Sequence, residues 1–273
     1  MPSESDVAAG DEAAGDEAPA LHAAERGDGP TIVLVHGFTQ TSASWRHIAP
    51  ALEDGFRVVV ADLPGHGRSP VPEAGPGLDE AARALGKTGG RASYVGYSLG
   101  GRCCLHLALR APRLVERLVL VGAHPGIEDG SSRRLRRDSD ERIAAQLETG
   151  GDATVPAFVE RWLAGPLFAH LTAEQADRTS RLSNSAAGLA ASLRTVGTGT
   201  QSPVWDRLAD LGMPVLVVAG ALDEKFLPLA ERTVAAIGDN ARLQLVAGAG
   251  HAVPFERPDI FVALLRDFLG TLA

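Results

Sequence analysis

Three side chains that could together move a proton stand far apart in this sequence. Ser98 lies in "GYSLG", Asp223 in "VVAGALDEKF" and His251 in "VAGAGHAVPFERP". A neutral serine hydroxyl is a weak nucleophile and a weak base, so it needs an imidazole as proton acceptor and a carboxylate to orient that imidazole. We therefore predict that Ser98, Asp223 and His251 meet in one catalytic site.

The pattern G-x-S-x-G around Ser98 predicts a sharp turn between a strand and a helix. Residues 92–97 form an apolar run typical of a buried strand, and residues 99–111 have helical periodicity. The flanking glycines allow a tight turn that pushes the hydroxyl out at the carboxyl end of the strand. The first amides of the helix favour negative charge at the same place. An ordinary turn is the alternative interpretation.

Two backbone amides near Ser98 could hold a developing negative charge. The apolar run "TIVLVH" is followed by Gly37 and Phe38, and Leu99 comes directly after the serine. The N–H groups of Phe38 and Leu99 could converge on one oxygen, so we predict that they form an oxyanion hole.

The loop "DLPGHGRSP" (62–70) also follows an apolar run, and its glycines and prolines predict a fixed structural loop. We expect His66 in this loop to be packed rather than catalytic, because Ser98 needs only one base. The sequence contains neither H-E-x-x-H nor C-x-x-C. It therefore predicts no metal site.

The elements that must position these residues alternate between strand and helix. The apolar runs lack clean alternation, which is typical of strands covered on both faces. The predicted strands are a weak edge strand at 20–27 and buried strands at 31–36, 57–62, 92–97, 117–122, 214–220 and 241–246. The predicted helices are 44–53, 78–87, 99–111, 229–237 and 258–270. This alternation predicts an α/β fold with a mostly parallel central sheet and helices on both faces.

Residues 127–202 interrupt the alternation, because they contain helical patterns and no strand-like run. The segment is too long for a simple loop, so we predict a helical cap over the sheet. The α/β core would then consist of residues 18–126 and 203–273. Residues 1–17 are rich in Ala, Gly, Asp and Glu, and we expect a disordered acidic tail there.

Composition excludes several classes of function. The chain has 273 residues, 45% of them hydrophobic, and a net charge of −8. It has no basic stripe with interleaved aromatics, so we expect no nucleic-acid partner. It has no apolar run near the ~20 residues of a membrane helix, and its start does not resemble a signal peptide. The adjacent Cys103 and Cys104 are a poor disulfide framework, so we expect a reduced, cytoplasmic protein. The sequence leaves the oligomeric state open.

The combined motifs resemble the α/β-hydrolase superfamily over about residues 20–273. More narrowly, the chain is similar to the 2-succinyl-6-hydroxy-2,4-cyclohexadiene-1-carboxylate synthases of menaquinone biosynthesis, the MenH family. The stretches that carry this resemblance lie in the predicted core and cap: "GYSLGGR" (96–102), "GAHPGIED" (122–129), "RRLRRDSDER" (133–142), "RLSNSAAGLAASLRTVGTGTQ" (181–201) and "GALDEKF" (220–226).

The resemblance implies an elimination rather than a hydrolysis. Enzymes of this family remove pyruvate from a cyclohexene polycarboxylate without consuming water and without a metal or organic cofactor. The triad then works as a base, with His251 activating Ser98, Ser98 taking a proton from a ring carbon, and Asp223 holding the imidazole tautomer. The expected partner is thus a small-molecule polycarboxylate, and the expected cofactor is none.

The resemblance also implies a set of substrate-binding residues. A guanidinium group holds a carboxylate with two parallel hydrogen bonds, and the substrate would carry three carboxylates. The residues that correspond to the family's substrate contacts are Arg102, Arg136, Arg181, Tyr97, Trp162 and Lys225, with Arg133 as an alternative to Arg136.

Simpler interpretations of these residues remain open at this point. The run "RRLRR" could be a solvated helix face paired with the acids that follow it, Trp162 could be core, and Tyr97 could only support the turn. Two other functions are also open. One is a serine hydrolase that cleaves an ester or carbon–carbon bond of a small acid, with Ser98 acylated. The other is a non-enzymatic receptor or scaffold.

Overall fold

The computed structural model describes residues 20–71 and 77–270. The predicted disordered tail, residues 1–17, lies outside these ranges. The described part contains seven strands: β1 (Ala23–Arg26), β2 (Thr31–Val35), β3 (Arg57–Ala61), β4 (Ala92–Tyr97), β5 (Val115–Val121), β6 (Val215–Gly220) and β7 (Ala241–Val246). They form one sheet in the order β1-β3-β2-β4-β5-β6-β7. Only β1 is antiparallel to its neighbour, so the predicted mostly parallel α/β sheet is confirmed.

Alternate residues of the central strands belong to two different cores. Val33 and Val35 of β2 pack in the core that lies on one face, whereas Ile32 and Leu34 pack in the core on the other face. Both faces are therefore covered, which is why these strands consist of continuous apolar runs rather than alternating ones.

Helices cover the sheet and fill the gap between β5 and β6. Their bounds are α1 (Leu78–Gly89), α2 (Leu99–Arg110), α3 (Gly130–Gly150), α4 (Val155–Leu163), α5 (Arg178–Arg181), α6 (Ala186–Val196), α7 (Leu227–Ile237), α8 (Val253–Glu256) and α9 (Pro258–Gly270). No described helix is both long enough and apolar enough to cross a bilayer.

One predicted helix is wrong. Residues 44–53 form no α-helix but fall within two short 3₁₀ turns, Ser42–Trp45 and Ala49–Ala51, and the chain around them. The second turn contains Pro50, which has no N–H to donate. In the interior of an α-helix its ring would also clash with the carbonyl of the preceding turn. The apolar spacing came instead from side chains such as Trp45 and Ile48, which pack against the sheet.

The helices α3 to α6 lie in the segment where the sequence predicts a cap. Buried side chains of α3, α4 and α6, such as Leu147, Phe158 and Leu189, form a third and smaller apolar core. This segment thus has its own packing, separate from the two cores of the sheet. The exact boundaries of the cap, 127 and 202, stay a prediction.

Candidate active site

Ser98 occupies a strained turn between β4 and α2. Its backbone has φ 52° and ψ −110°, a conformation that costs free energy for a residue with a Cβ. A hydrogen bond from the Ser98 N–H to the carbonyl of Val121 (2.8 Å) holds the turn against the neighbouring strand. The serine itself therefore takes the unusual φ of this tight turn.

The glycines around Ser98 serve close packing instead. A Cβ on Gly96 would lie 2.5 Å from the backbone of Gly100, and one on Gly100 would lie 2.2 Å from the carbonyl oxygen of Val35. A side chain at either position would push α2 away from β2 and β4. The motif thus lets the helix begin directly against the sheet, with Ser98 at the carboxyl end of β4.

The structure brings the three predicted site residues together. The Nδ1 of His251 lies 2.8 Å from Oδ2 of Asp223, and its Nε2 lies 3.4 Å from Oγ of Ser98. Because a carboxylate only accepts, Nδ1–H donates to Asp223 and Nε2 is free to accept from the serine hydroxyl. The other oxygen of Asp223 accepts from the N–H of Phe226 (3.1 Å), and both Asp223 and His251 are buried.

The loop that carries His251 is held by a carboxylate that the sequence analysis missed. The two oxygens of Glu256 accept from the N–H of Gly250 (2.6 Å) and of Ala252 (2.8 Å), on either side of the histidine. Glu256 is buried at the end of α8. Its signal in the sequence was only an acid five residues after a candidate histidine, a spacing that becomes meaningful once the loop folds back.

The two predicted oxyanion amides lie in the right region. Phe38 and Leu99 both contribute to the wall of the cavity that contains Ser98. Among the described residues, neither N–H donates to another protein group. The turn before Phe38 is fixed by a hydrogen bond from the N–H of Gly37 to the side chain of Gln40 (3.0 Å). Both amides are therefore available to an oxygen in the cavity.

The cavity beside Ser98 has a volume of about 310 Å³. Loops at the carboxyl ends of the strands supply Ser98 and His251, and the helices above supply Arg136, Trp162 and Leu193. A second hollow of about 620 Å³ adjoins it and shares part of its wall, including Arg136, Trp162 and His251. The helical segment therefore covers the serine and divides the space above it.

Four cations line this cavity, and one of them, Arg232, is paired with Glu128. Arg102, on the first turn of α2, is buried and donates to the side-chain oxygen of Gln201 (3.1 Å). Arg136 uses Nε to bind Asp140 (2.8 Å), which leaves its terminal nitrogens free, and Lys225 lies in the same wall. Burial lowers the pKa of Arg102 to about 10 and also lowers that of Lys225, with the charge of Arg136 adding to both shifts. Burial and the neighbouring cation thus both disfavour the charged forms of these two groups.

Arg181 lies elsewhere. It is 1% exposed and outside the cavity wall, and it binds the loop after β2. Its Nε donates to the carbonyl of Ala176 (2.7 Å), and its Nη1 donates to the hydroxyl of Thr39 and to the carbonyl of Phe38 (3.5 Å). Thr39 has φ 68°, so this guanidinium braces a strained residue next to the Phe38 amide.

The remaining predicted residues divide between the cavity and its support. Trp162 lines the cavity and packs its ring 5.1 Å from that of Phe38. Tyr97 is buried under the site rather than in its wall, with its ring 5.5 Å from that of His251. Arg133, the alternative to Arg136, donates to the carbonyl of Ile127 (2.8 Å) and does not line the cavity.

Other residues of the wall were not singled out by the sequence analysis. His124 follows β5, and Glu128 forms a two-pronged ion pair with Arg232 of α7 at the cavity edge. Arg232 also lies over the ring of Trp205, 3.8 Å from its centre. His124 and Glu128 lie in "GAHPGIED", one of the stretches that carry the resemblance, but residue type alone did not distinguish them from loop residues.

The loop 62–70 has the contacts expected of a structural element. The carboxylate of Asp62 accepts from the N–H groups of Ser42 (2.6 Å) and Arg68 (3.0 Å). His66 is buried, its ring packs against that of Phe38, and burial lowers its pKa to about 3. It does not contact Ser98, so it supports the cavity wall from behind.

Within the described ranges, no group of three or more His, Cys, Asp or Glu side chains could hold a metal ion. The polar groups of the cavity wall include the hydroxyl of Ser98, the imidazole of His251 and several cations. This set can accept a proton next to bound anions.

Comparison with known proteins agrees with this geometry. Residues 30–258 match the family model described as alpha/beta hydrolase fold, and the chain therefore belongs to the α/β-hydrolase family. It is 32% identical to the "Putative 2-succinyl-6-hydroxy-2,4-cyclohexadiene-1-carboxylate synthase" of Bacillus subtilis (strain 168), over 88% of this chain and 90% of that protein. It is also 32% identical to the synthase of that name from Serratia proteamaculans (strain 568), over 89% of this chain and 94% of that protein.

A solved structure gives the same result. The structure of MenH from S. aureus has a TM-score of 0.84 to this chain, with 28% sequence identity, and the likeness covers 91% of this chain and 98% of that one. Within the α/β hydrolases, the similarity is therefore to the MenH enzymes over both the sheet and the helical segment above it. The resemblance that the sequence motifs indicated is confirmed.

Proposed function

We propose that this chain is a 2-succinyl-6-hydroxy-2,4-cyclohexadiene-1-carboxylate synthase, as its relatives are named. The reaction eliminates pyruvate from 2-succinyl-5-enolpyruvyl-6-hydroxy-3-cyclohexene-1-carboxylate. The observation that carries the proposal is the hydrogen-bonded line from Asp223 through His251 to Ser98, which ends in a cavity lined by Arg102 and Arg136. A base beside several cations suits the removal of a proton from a substrate with three carboxylates.

The proton transfer begins at Ser98. His251 Nε2 accepts the hydroxyl proton while Ser98 Oγ takes a proton from the ring carbon next to the succinyl carbonyl. The net result is one proton moved from carbon to the imidazole, and Asp223 stabilises the imidazolium that forms. The buried Asp223–His251 contact of 2.8 Å keeps Nδ1 as the donor, so Nε2 always faces the serine as an acceptor.

The electrons of the broken C–H bond move onto the succinyl carbonyl oxygen. The N–H groups of Phe38 and Leu99 are the donors for this charge, since neither has another acceptor among the described residues. The charge then returns through the ring, forms the conjugated diene and breaks the C–O bond to the enolpyruvyl group. The released enolate takes up one proton and becomes pyruvate, so no water is consumed.

Arg102 and Arg136 would bind substrate carboxylates. Charge-assisted pairs with guanidinium are among the strongest hydrogen bonds in proteins, and their planar geometry also fixes orientation. Gln201 holds one terminal nitrogen of Arg102, and Asp140 holds the Nε of Arg136. Each guanidinium is thus fixed from one side and presents the other to the cavity. Lys225 adds a third positive charge to the wall.

The helices above the sheet would act as the predicted cap, residues 127–202. Trp162 and Leu193 close the cavity over Ser98. The exclusion of water from the cavity strengthens the electrostatic interactions of the bound carboxylates. A cap that moves would admit the substrate and release the two products.

The test is release of pyruvate. Purified protein would be mixed with the proposed substrate, and pyruvate would be followed with lactate dehydrogenase and NADH. We expect release well above the spontaneous rate, without an initial burst that indicates an acyl-enzyme. Pyruvate at only the spontaneous rate would contradict the proposal. A burst with ester substrates would favour the serine hydrolase, which uses the same triad with Ser98 acylated.

A further inference from the structure

His124 lines the cavity beside the triad. It comes three residues after the end of β5, in the same loop as Gly122, where a Cβ would lie 2.8 Å from the ring of His251. The ring of Phe226 packs against both histidines, with centre-to-centre distances of 5.8 Å to His124 and 4.4 Å to His251. His124 is therefore held close to the triad while it faces the cavity.

The backbone fixes which ring nitrogen of His124 carries hydrogen. The N–H of Gly126 donates to Nδ1 over 3.0 Å, so Nδ1 has no proton of its own. In a neutral imidazole the hydrogen is then on Nε2. Among the described residues Nε2 has no hydrogen-bond partner, and the side chain is half-buried in the wall. The ring thus presents an unused N–H donor.

The surroundings keep this donor uncharged. Burial lowers the pKa of His124 to about 3, and the charges of Arg102, Lys225 and Arg136 contribute to the shift. A fourth positive charge among these cations would be repelled by them. A neutral N–H, by contrast, can add a directed hydrogen bond without adding repulsion.

We propose that His124 contacts the substrate, its Nε2–H donating to an oxygen of the carboxylate that Arg102 and Lys225 attract. This inference rests on the proposed function and extends it, because it adds a neutral donor to the cationic wall. Its chemical consequence is orientation, since the ammonium of Lys225 attracts an anion from many directions whereas an N–H selects one oxygen at one angle.

The competing explanation is that His124 only braces its loop through Gly126. Two substitutions separate these roles. In His124→Asn, the amide oxygen can still accept from the Gly126 N–H, but no group reaches the position of Nε2. In His124→Gln, the longer amide can place an N–H near that position, but the brace at Nδ1 is lost. The two explanations therefore predict opposite orders of activity.

The experiment measures kcat/KM for pyruvate release by the wild type and both variants, with the exposed His47→Asn as control. We expect His124→Asn to lose about tenfold to one hundredfold, as for a hydrogen bond to a charged group, and His124→Gln to lose at most about threefold. The control should match the wild type. Wild-type activity in His124→Asn, or a larger loss in His124→Gln than in His124→Asn, would overturn the inference.

A binding measurement keeps this test separate from the proposed function. The Kd of 2-succinylbenzoate, a stable aromatic dicarboxylate, would be measured by calorimetry on the same proteins. If the wild type releases no pyruvate, the proposed function fails. The inference about His124 then stands if the Asn variant binds the probe more weakly than the Gln variant, and fails if it does not. Equal melting temperatures would show that neither order reflects unfolding.

Discussion

The carboxyl edge of the sheet and the helices above it position their functional side chains in different ways. At the edge of the sheet, three of its strands are followed by Ser98, Asp223 and His251. His251 links the other two, with hydrogen-bond distances of 2.8 Å to Asp223 and 3.4 Å to Ser98. In the helical segment, the arginines that the resemblance assigned to substrate binding have different partners. Arg136 faces the cavity, Arg133 binds backbone carbonyls, and Arg181 is buried against the loop after β2.

This difference shows how strongly backbone geometry limits what a residue can do. Parallel strands must end at one edge, so a residue just after such a strand has few possible neighbours. A helix offers a new face every few residues, and a flexible arginine can reach several partners from each of them. The sheet therefore fixes chemistry by position, whereas the helices fix it by packing.

The largest effect should follow from loss of the hydroxyl at the sheet edge. Ser98→Ala removes the group that takes the proton, and we expect pyruvate release to fall by about 10³-fold or more. The melting temperature should not fall, because the left-handed turn costs alanine as much as serine and the backbone bond to Val121 remains. Retention of most of the activity would mean that another base works in this cavity.

Arg102 joins the two regions, because it lies on α2 and faces the cavity below the helical segment. Arg102→Ala should cost ~2–4 kcal/mol in kcat/KM by loss of carboxylate pairing. The exposed Arg113→Ala is a matched control and should behave as the wild type. If Arg102→Ala also retains wild-type kcat/KM, the proposal that the substrate is a polycarboxylate is wrong, although the protein is active.

Arg181 tests whether an arginine of the cap can be structural. Arg181→Ala leaves Thr39 and two carbonyls without their donor, and we expect the free energy of unfolding to fall by ~2–4 kcal/mol. Denaturant titration measures this loss. Arg178→Ala, on the same short helix, removes only an exposed pair with Glu160 and should cost ~0–1 kcal/mol. Equal stability of the two variants would show that Arg181 does not stabilise the loop at Thr39.

Glu256 tests whether catalysis at the edge of the sheet depends on the hydrogen bonds that hold the loop around His251. Glu256→Gln has one acceptor oxygen where two amides need one each, so the loop around His251 should loosen. We expect kcat to fall by about tenfold with KM nearly unchanged, because one buried hydrogen bond of about 1–2 kcal/mol is lost. Glu231→Gln on the exposed face of α7 is the control. A change in KM alone would contradict a positioning role.

The loop 62–70 contacts the helical segment, since the Gly67 N–H donates to Asn184, and its histidine makes stability depend on pH. Burial lowers the pKa of His66 to about 3. It also lowers to about 4 the pKa of His36, which follows β2 and accepts from the Leu63 N–H of this loop, while an unfolded histidine has a pKa near 6.5. Between these values the unfolded chain binds more protons, so stability is complete above about pH 6.5 and falls as pH decreases. The slope can reach about 1.4 kcal/mol per pH unit for each histidine.

His66→Phe tests this directly by denaturant titration at pH 7 and pH 5. The substitution keeps a ring against Phe38 and removes one titrating group, so the loss of stability between the two pH values should shrink. The exposed His47→Asn should leave that loss unchanged. An unchanged pH dependence in His66→Phe would show that the ring is accessible to protons in the folded protein.

Much of the core could be predicted because its sequence signals are local. Apolar runs predicted the strands, and G-x-S-x-G predicted the turn at Ser98 because only small residues let α2 approach β2 and β4 so closely. The helix predicted at 44–53 failed for a local reason too, since Pro50 interrupts it. Three predicted site residues do not line the cavity. Asp223 lies behind His251, to which it is hydrogen-bonded, and Tyr97 and Arg181 depend on distant contacts.

The sequence by itself determined the alternation of strands and helices, and with it the edge at which Ser98, Asp223 and His251 meet. Periodic burial and the ends of parallel strands leave little choice there. Only the tertiary structure decided that Arg181 binds Thr39, 142 positions away, that Glu256 brackets His251, and that His124 lies in the cavity wall with its Nδ1 bound to the Gly126 N–H. Such roles follow from which surfaces pack together, because charge and length give a side chain its reach but not its neighbour.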